Sequence, residues 1–351
     1  MFEDTFAIND FKPGPIEKIT IKGLMSIKEL KEFKLGKINI LIGANGAGKS
    51  NFLEAFNLLE GGVKNNLGFY VDNTYSDPTL LFYKGPDVTD TIELAVNYDE
   101  WNYQTQLGIF KNNQIRVKEN NLEVNSLPKD SYVEELFDSE KSVYDKKVKG
   151  TRDALYRGRT LPRREIVRNS WCLYEIDERS RHPRIFRRSD FRNNLQLSYD
   201  FRNLAPILLD MQKQRPKDYK FLLDTIRLTL PHFEDFVLKV ERHSRGDIMV
   251  DLRWQMVGSD LVMGANHLSP GSLRFIALMA CMLQSNPPSV IIIDEPELGL
   301  HPEAIELFAD FVKSDWQKSQ VIFATQSSDL VDAFAPEDII TVNHGEAGSE
   351  F

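Results

Sequence analysis

The chain has 351 residues, 42% of them hydrophobic and 27% charged, which suits a soluble globular protein of one large domain or two ordinary ones. Its longest apolar run, Phe275–Leu283, is far shorter than the roughly eighteen residues of a membrane span, and its start lacks the basic and apolar blocks of a signal peptide. The net charge of −9 argues against general binding of nucleic acid.

The first predicted elements lead into a glycine-rich loop. Residues 16–22 alternate isoleucine with polar residues at nearly the period of a strand, and Lys37–Ile42 forms a short apolar strand that ends at the loop. Ser50–Leu59 then carries apolar residues at helical spacing, and we expect Gly61–Gly62 to end that helix.

The middle of the chain is less regular. Three short strands separated by Asp/Asn-rich turns are predicted at Ile92–Tyr98, Tyr103–Phe110 and Gln114–Val117. Residues 118–200 are polar and basic with weak periodicity, which indicates an insertion of short helices and loops. Phe201–Leu230 is predicted to be helical, and Val237–Glu241 with Ile248–Trp254 to form a hairpin.

Strands and helices alternate cleanly over the last hundred residues. The predicted elements are a helix Ser269–Leu283, a strand Val290–Asp294, a helix Pro302–Lys313, a strand Val321–Thr325, a short helix through Leu330–Phe334 and a strand Ile339–Val342. This alternation of apolar strands with helices predicts a parallel sheet covered on both faces. The chain stops soon after the last strand, as a truncated chain would.

The glycine-rich loop, Gly43–Ser50, reads GANGAGKS and is called the phosphate loop below. Its glycines let backbone N–H groups turn toward phosphate oxygens, and the following helix adds the positive end of its dipole. A chance glycine-rich turn is the alternative, but the flanking strand and helix favour phosphate binding. We expect Lys49 to reach the β- and γ-phosphates and the Ser50 hydroxyl to bind Mg²⁺. The predicted nucleotide-binding residues here are Gly43, Asn45, Gly46, Ala47, Gly48, Lys49, Ser50 and Asn51.

Two acids follow the buried strand Val290–Asp294. The carboxyl ends of strands in open α/β sheets are where ligands bind, so Asp294 is predicted to hold magnesium and Glu295 to polarise the attacking water. The alternative is an acidic cap on a strand that is followed by a proline turn. Paired with the phosphate loop, the functional interpretation is the stronger one.

A third motif, Leu268–Phe275, is called the signature segment. Ser269 is a predicted N-cap and Pro270 suits the first helical position, so a purely structural role is sufficient to explain them. The same helix N-terminus could also face phosphate, and both roles are compatible.

The order of these motifs, followed by Gly299–Pro302 and Ala324–Ser327, resembles the ABC-type ATPase heads of the RecF/SMC and OLD-like group. Within that group it is most similar to bacterial stand-alone AAA-family (ABC-like) ATPases. The resemblance covers residues 16–60 and 265–345 well, and the middle only in general layout.

This resemblance implies an α/β P-loop NTPase fold: a mixed or parallel sheet flanked by helices, an N-terminal antiparallel β lobe and an inserted, mostly helical lid. It suggests three divisions, an N-terminal ATPase lobe at 1–117, a basic lid at 118–235 and a C-terminal ATPase lobe at 236–351.

The resemblance also implies a homodimer that sandwiches ATP. Ser269 and Gly271 of one copy would then contact the γ-phosphate held by the other, and Glu297–Pro302 would pass signals across the dimer. Gln326 stands where the family usually has histidine, and since glutamine cannot carry charge, slow turnover is expected. The glutamine of the magnesium-sensing loop stays open among three weak candidates, Gln104, Gln106 and Gln114.

Residues 146–192 hold fifteen Lys or Arg and six Asp or Glu, a net charge of +9 that leaves −18 on the remainder. Arginines there are interleaved with aromatic residues, as at Arg157 beside Tyr156 and Arg187 beside Phe186, which suits phosphate contact and base stacking. It is the family resemblance, more than this pattern, that implies contact with DNA or RNA. The alternative is a solvated surface balanced by ion pairs within the chain.

Other chemistries find little support. Cys172 and Cys281 are too few for a disulfide scaffold or a thiolate metal site, which favours a reducing, cytoplasmic compartment. The histidines have no metal-binding spacing, and with no recognisable nuclease motif any nuclease activity is expected to come from a partner protein.

The leading hypothesis is therefore an ATPase that uses ATP and Mg²⁺, with Lys49, Glu295 and Gln326 as catalytic residues. It would dimerise around ATP and couple this to nucleic-acid handling in DNA repair or anti-phage defence. The alternative is an ATP-gated assembly module with little turnover. A transport ATPase is third, and the long insertion disfavours it.

Overall fold

We analysed a computed structural model of the chain. It describes residues 14–64, 66–99, 101–110, 113–124, 132–134, 160–162, 170–176, 184–242 and 247–351. Within these residues no helix is both long and apolar enough to cross a membrane.

The α-helices of the described residues are α1 (Lys49–Lys64), α2 (Leu67–Thr74), α3 (Leu204–Gln214), α4 (Pro216–Thr229), α5 (Pro270–Leu283), α6 (Pro302–Lys313) and α7 (Ser328–Asp332). The strands up to the centre of the chain are β1 (Lys18–Leu24), β2 (Ile27–Lys34), β3 (Ile38–Ile42), β4 (Thr91–Asn97), β5 (Trp101–Ile109), β6 (Ile115–Val124), β7 (Tyr132–Glu134), β8 (Thr160–Pro162), β9 (Trp171–Tyr174) and β10 (Ser189–Asp190). The remaining strands are β11 (Phe233–Phe236), β12 (Val240–Arg242), β13 (Ile248–Val250), β14 (Arg253–Met256), β15 (Val262–Gly264), β16 (Val290–Asp294), β17 (Gln320–Thr325), β18 (Ile339–Thr341), β19 (Asn343–Gly345) and β20 (Gly348–Glu350).

An antiparallel sheet forms the N-terminal lobe, in the order β2-β1-β4-β5-β6. Strand β4 alternates half-exposed residues with Ile92, Leu94 and Val96, which are fully buried, and most of β5 alternates in the same way. This is the pattern of a sheet with one face on a core. That core is shared with the buried face of α1, which includes Phe52 and Phe56.

The central sheet is parallel, in the order β18-β3-β17-β16-β9. Val290–Ile293 and all of β17 are buried, which explains why these strands read as continuous apolar runs. One row crosses the sheet through Ile40, Phe323, Ile293 and Tyr174. The predicted fold, a parallel sheet flanked by helices together with an antiparallel β lobe, is confirmed.

The sequence predicted that the first helix ends at Gly61–Gly62. This prediction is wrong, because α1 continues to Lys64. A Cβ at Gly62 would lie 2.9 Å from the Tyr103 hydroxyl, and one at Gly61 would lie 3.2 Å from Leu67 Cα. The two glycines therefore permit close packing against β5 and α2, and this packing outweighs their low helix propensity.

The described residues of the predicted insertion, 118–235, include strands as well as helices. Between 118 and 200 the described residues form strands and a 3₁₀ turn, and β9 is an edge strand of the central sheet. The Trp171 indole N–H donates to the carbonyl of Phe56 on α1 (3.3 Å). The limits 118 and 235 stay a prediction, but β9 and the core-packed helices α3 and α4 within them belong to the ATPase core.

The predicted helix Phe201–Leu230 is two helices that meet at Pro216. Proline lacks the N–H that would continue α3, and it suits the first turn of α4, so the chain breaks there. Both helices pack against α5. The predicted hairpin is confirmed for β12 with β13, while residues 243–246 at its turn lie outside the described residues.

Candidate nucleotide-binding site

The register of the central sheet brings the motifs together. Ile42, the last residue of β3, pairs with Thr325 of β17, and Asp294, the last of β16, pairs with Ala324. Because the strands are parallel, the phosphate loop, Gln326 and the acids after β16 all follow strand ends at one edge of the sheet.

Lys49 makes hydrogen bonds to the backbone of the phosphate loop. The ammonium of Lys49 is buried and donates to the carbonyls of Gly43 (2.5 Å) and Ala44 (3.2 Å). Gly46 and Gly48 have φ angles of +79° and +115°, which residues with a side chain rarely adopt. Asn45, another predicted nucleotide ligand, lies at the exposed tip of the loop.

The two predicted magnesium ligands come together although they are far apart in the chain. The Ser50 hydroxyl donates to Asp294 Oδ2 at 3.2 Å. A hydroxyl and a carboxylate are oxygen donors of the kind Mg²⁺ prefers, and Mg²⁺ on a nucleotide takes its other ligands from phosphate and water. Two protein oxygen donors are therefore sufficient for an ion that is bound together with a nucleotide. Among the described residues, no group of three or more His, Cys, Asp or Glu could hold a metal ion.

The pKa of Asp294 is raised. The carboxyl reaches solvent at the sheet edge, but the surrounding protein partly desolvates it, and the charge of Glu295 adds to this effect. The hydrogen bond from Ser50 and the charge of Lys49 lower the pKa and offset part of the shift. The site therefore holds a carboxylate in a place where ionisation is unfavourable without a cation.

Glu295 has an unusual backbone. Its φ is +47°, in a region that non-glycine residues seldom occupy, and its N–H donates to the carbonyl of Ala324 at 2.8 Å. The side-chain amide of Gln326 donates to Glu295 Oε1 at 2.6 Å. The two predicted catalytic residues are thus in direct contact.

A second contact between the same two strand ends was not anticipated from the sequence. The Thr325 hydroxyl donates to Glu297 Oε1 and accepts from the N–H of Ser327 (2.9 Å). Desolvation raises the pKa of Glu297, while the hydrogen bond from Thr325 lowers it. Thr325 lies beside Gln326 in the segment Ala324–Ser327 that the sequence singled out. The sequence does not show which acid its hydroxyl contacts, because that depends on the register of the sheet.

Ser269 and Gly271 are predicted ligands of nucleotide, but their contacts lie elsewhere. The Ser269 hydroxyl caps α5 by accepting from the N–H of Ser272 (3.0 Å), as predicted, and the residue is exposed. A side chain at Gly271 would strike the carbonyl of Gly299 in the loop after β16. These contacts tie the signature segment to its own helix and to Glu297–Pro302, not to the phosphate loop.

Asn51 and the candidates for the magnesium-sensing glutamine also make contacts away from the phosphate loop. The amide of Asn51 donates to the Ser26 hydroxyl at 2.6 Å. Gln104 and Gln106 lie on β5 in the antiparallel lobe, and Gln114 accepts from Arg116 (2.9 Å). None of these hydrogen bonds involves the phosphate loop, so the magnesium-sensing glutamine stays unassigned.

Most of the basic segment lies outside the described residues, including Arg152, Arg157, Arg159, Arg163, Arg164 and Arg168. Three of its described arginines pair with acids: Arg184 with Asp200 (2.8 Å), Arg188 with Asp251 (2.9 Å) and Arg192 with Asp190 (2.6 Å). These pairs favour the alternative of internal charge balance for this part of the segment.

The fold is that of a P-loop ATPase head of the ABC type. The chain belongs to the family described as "AAA domain, putative AbiEii toxin, Type IV TA system", whose model matches residues 38–332. No curated protein shows a significant match.

Solved structures of SMC heads have the same fold. A structure of the SmcHead bound to the C-winged helix domain of ScpA is 16% identical, with a TM-score of 0.60 and 96% of each chain covered. The Smc head domain with an extended coiled coil, bound to the C-terminal domain of ScpA derived from Pyrococcus furiosus, is 15% identical. Its TM-score is 0.54, with 96% of this chain and 95% of that chain covered. The resemblance to ABC-type heads of the SMC/RecF-like group is confirmed.

Asp294→Asn is expected to stabilise the nucleotide-free protein. An acid whose folded pKa is raised costs stability above that pKa, and the cost disappears below the unfolded value near 3.9. The gain in Tm of the variant should therefore be absent at about pH 3.5, grow as pH rises, and reach about 1–2 °C at neutrality.

Asp190→Asn is the matched control, because hydrogen bonds from Arg192 lower the pKa of Asp190 to about 2. The Tm of Asp190→Asn should be lower than that of wild type at neutral pH. Thermal scans in which Asp294→Asn destabilises like Asp190→Asn would contradict the electrostatics described here.

Proposed function

We propose that this protein binds ATP with Mg²⁺ and hydrolyses it to ADP and phosphate. The observation that carries the proposal is the convergence of Lys49, Ser50, Asp294 and Glu295 at one edge of the parallel sheet. Lys49 and the loop N–H groups would bind phosphate oxygens, and Ser50 with Asp294 would hold Mg²⁺. When bound, this ion would neutralise phosphate charge.

Glu295 is the residue proposed to accept the proton of the attacking water. It directly follows Asp294, the last residue of β16, so the proposed metal ligand and base are neighbours in the chain. Gln326 would hold the base in place through its hydrogen bond to Oε1 and can also bond water or phosphate.

A second candidate is an ATP-gated assembly module with little turnover. The same Gln326 contact favours it, because the amide engages one oxygen of the base and contributes no charge to a transition state. In this alternative ATP binding assembles the complex and hydrolysis is marginal.

Glu295→Gln distinguishes the two candidates. If Glu295 is a general base, the variant should bind ATP as wild type does while kcat falls by about 100-fold or more. Lys49→Ala should instead weaken ATP binding by about 10- to 100-fold, because a charged hydrogen-bond donor is lost. Binding is measured by titration with a fluorescent ATP analogue and turnover by phosphate release.

Glu303→Gln, on the exposed first turn of α6, is the matched control and should leave both values unchanged. Equal turnover by wild type and Glu295→Gln, with and without nucleic acid, would refute the proposal that the protein is an ATPase. The ATP-gated assembly module would then be the remaining candidate.

We further propose that two copies enclose ATP. Ser269 is exposed at the N-terminus of α5. Gly299, which approaches Gly271 in the same helix, is also exposed, as is Leu298 at 48%. The N-terminus of α5 could bind an anion at this surface. The phosphate loop of the same copy does not contact this surface. A second copy would supply the missing phosphate.

Ser269→Asp tests this arrangement without damaging the helix. Aspartate is as good an N-cap as serine, so stability and ATP binding to the monomer should persist. Its negative charge would repel the γ-phosphate of the other copy. In the Glu295→Gln background, light scattering with ATP should show a doubled mass for Ser269 and for the control Ser269→Thr, and a monomer for Ser269→Asp. Dimerisation of the aspartate variant would argue against the ATP sandwich.

Nucleic-acid handling is the finer part of the proposal and rests on the charge of +9 in residues 146–192. The ion pairs of Arg184, Arg188 and Arg192 reduce the free charge of its described part, whereas Arg187 is exposed. The contact with DNA or RNA would then depend on Arg187 and on arginines outside the described residues.

Replacing Arg163, Arg164 and Arg187 by glutamine should weaken DNA binding. Each lost phosphate contact should reduce the slope of log K against log salt by about 0.9. Replacing Arg116, Arg227 and Arg253, which lie outside the segment, should leave that slope unchanged. Undiminished, salt-dependent binding by the first triple variant would place the contact elsewhere.

The biological role proposed is DNA repair or anti-phage defence, with a partner effector such as a nuclease. The family description refers to a toxin of a toxin–antitoxin system, and the two SMC heads were solved with domains of ScpA bound. Both facts support a head that works with other proteins. Its effector should bind the ATP-bound Glu295→Gln protein more tightly than the nucleotide-free protein.

A further inference from the structure

The last hairpin, β19–β20, lies against the β1–β2 turn and the start of α1. The N–H of Ser349 donates to the carbonyl of Ser26 (2.8 Å), and the Tyr83 hydroxyl donates to the carbonyl of Ala347 (2.8 Å). The ring of Phe351 lies 5.5 Å from that of Phe52 on α1. Backbone, side-chain and aromatic contacts together fix the position of the hairpin.

The hairpin also touches the phosphate loop. The Ser349 hydroxyl donates to the carbonyl of Ala47 at 2.6 Å. A side chain at Gly48 would strike Ser349 Oγ, and one at Gly348, whose φ is +115°, would strike the carbonyl of Ser26. Glycine at both positions is therefore required for this approach.

The hydrogen bonds around Ser349 have only one consistent direction. A carbonyl oxygen only accepts, so the single hydroxyl proton of Ser349 is used on Ala47. The 2.6 Å contact between the Ser26 and Ser349 hydroxyls must then be donated by Ser26. Ser26 in turn accepts from the amide of Asn51 at 2.6 Å. The series of hydrogen bonds therefore runs from the Asn51 amide through the Ser26 and Ser349 hydroxyls to the carbonyl of Ala47.

These hydrogen bonds end on the peptide group that carries the N–H of Gly48, a residue predicted from the sequence to bind phosphate. The carbonyl of Ala47 and the N–H of Gly48 belong to one planar trans peptide group, so they point in opposite directions. A donor that holds the carbonyl fixes the direction of the N–H on the other side. Hydrogen bonds in series also polarise one another, which makes that N–H a stronger donor.

We propose that Asn51, Ser26 and Ser349 form a hydrogen-bond relay that orients and polarises the Gly48 N–H for a nucleotide phosphate. The relay rests on the proposed binding of ATP. Its members are positioning residues, because their hydrogen bonds end on the protein and not on the ligand. Asn51, predicted from the sequence to bind nucleotide, would thus act through the loop.

Ser349→Ala tests the relay. The loss of one hydrogen bond is expected to raise the Kd for ATP about fivefold. KM should rise with Kd while kcat stays near wild type, since the phosphate contact is made in both ground and transition states. Ser349→Thr keeps the hydroxyl and suits a strand, so it should restore wild-type affinity. His344→Ala, an exposed position on the same hairpin, is the control.

A double-mutant cycle tests whether Ser26 and Ser349 act in series. If Ser26 acts through Ser349, Ser26→Ala should weaken binding in the wild-type background and have little further effect in Ser349→Ala. Additive losses would overturn the relay. So would wild-type affinity in Ser349→Ala, or an affinity loss that Ser349→Thr fails to restore. Failure of the wild-type protein to bind ATP would overturn the proposed function itself.

Discussion

The parallel pairing of β3, β17 and β16 is the constraint on which the site depends. It joins Ile42 to Thr325 and Ala324 to Asp294, so that segments nearly 250 residues apart in the sequence end at one edge. A slip of one residue would turn every side chain of a strand to the opposite face. Because both faces of these strands are buried in apolar cores, the register is fixed by packing, and the polar residues follow from it.

The same edge concentrates unfavourable features. Desolvation raises the pKa of both Asp294 and Glu297, and Glu295 adopts a positive φ angle. The strands that end at this edge are otherwise mostly buried and apolar, and their packing offsets these unfavourable terms. A site of this kind becomes more stable when it is neutralised, either by substitution or by a bound cation, which is the usual relation between stability and function in a binding site.

Local patterns in the sequence were sufficient for much of this fold. The strand and helix that flank Gly43–Ser50, the capped helix α5 and the strand Val290–Asp294 were predicted correctly, since each is specified by adjacent residues. Gly61–Gly62 was misinterpreted because those glycines serve contacts with β5 and α2, and these contacts are not visible in local sequence.

Other features could not be predicted because they depend on distant partners. Trp171–Tyr174 reads as part of an irregular segment until β16 is placed beside it. The pairing of Glu297 with Thr325 requires the sheet register, and the contact of Ser349 with the phosphate loop spans 302 residues. Gly348 and Ser349 show no motif, so only the folded structure relates them to the site.

The central claim is that Ser50 and Asp294 form one metal–nucleotide site through the register of the sheet. The most direct test is the effect of Mg²⁺ on the Kd for ATP in wild type, Ser50→Ala and Asp294→Asn. We predict that Mg²⁺ tightens binding in wild type and that each variant loses most of this effect. Equal tightening by Mg²⁺ in all three proteins would contradict the account.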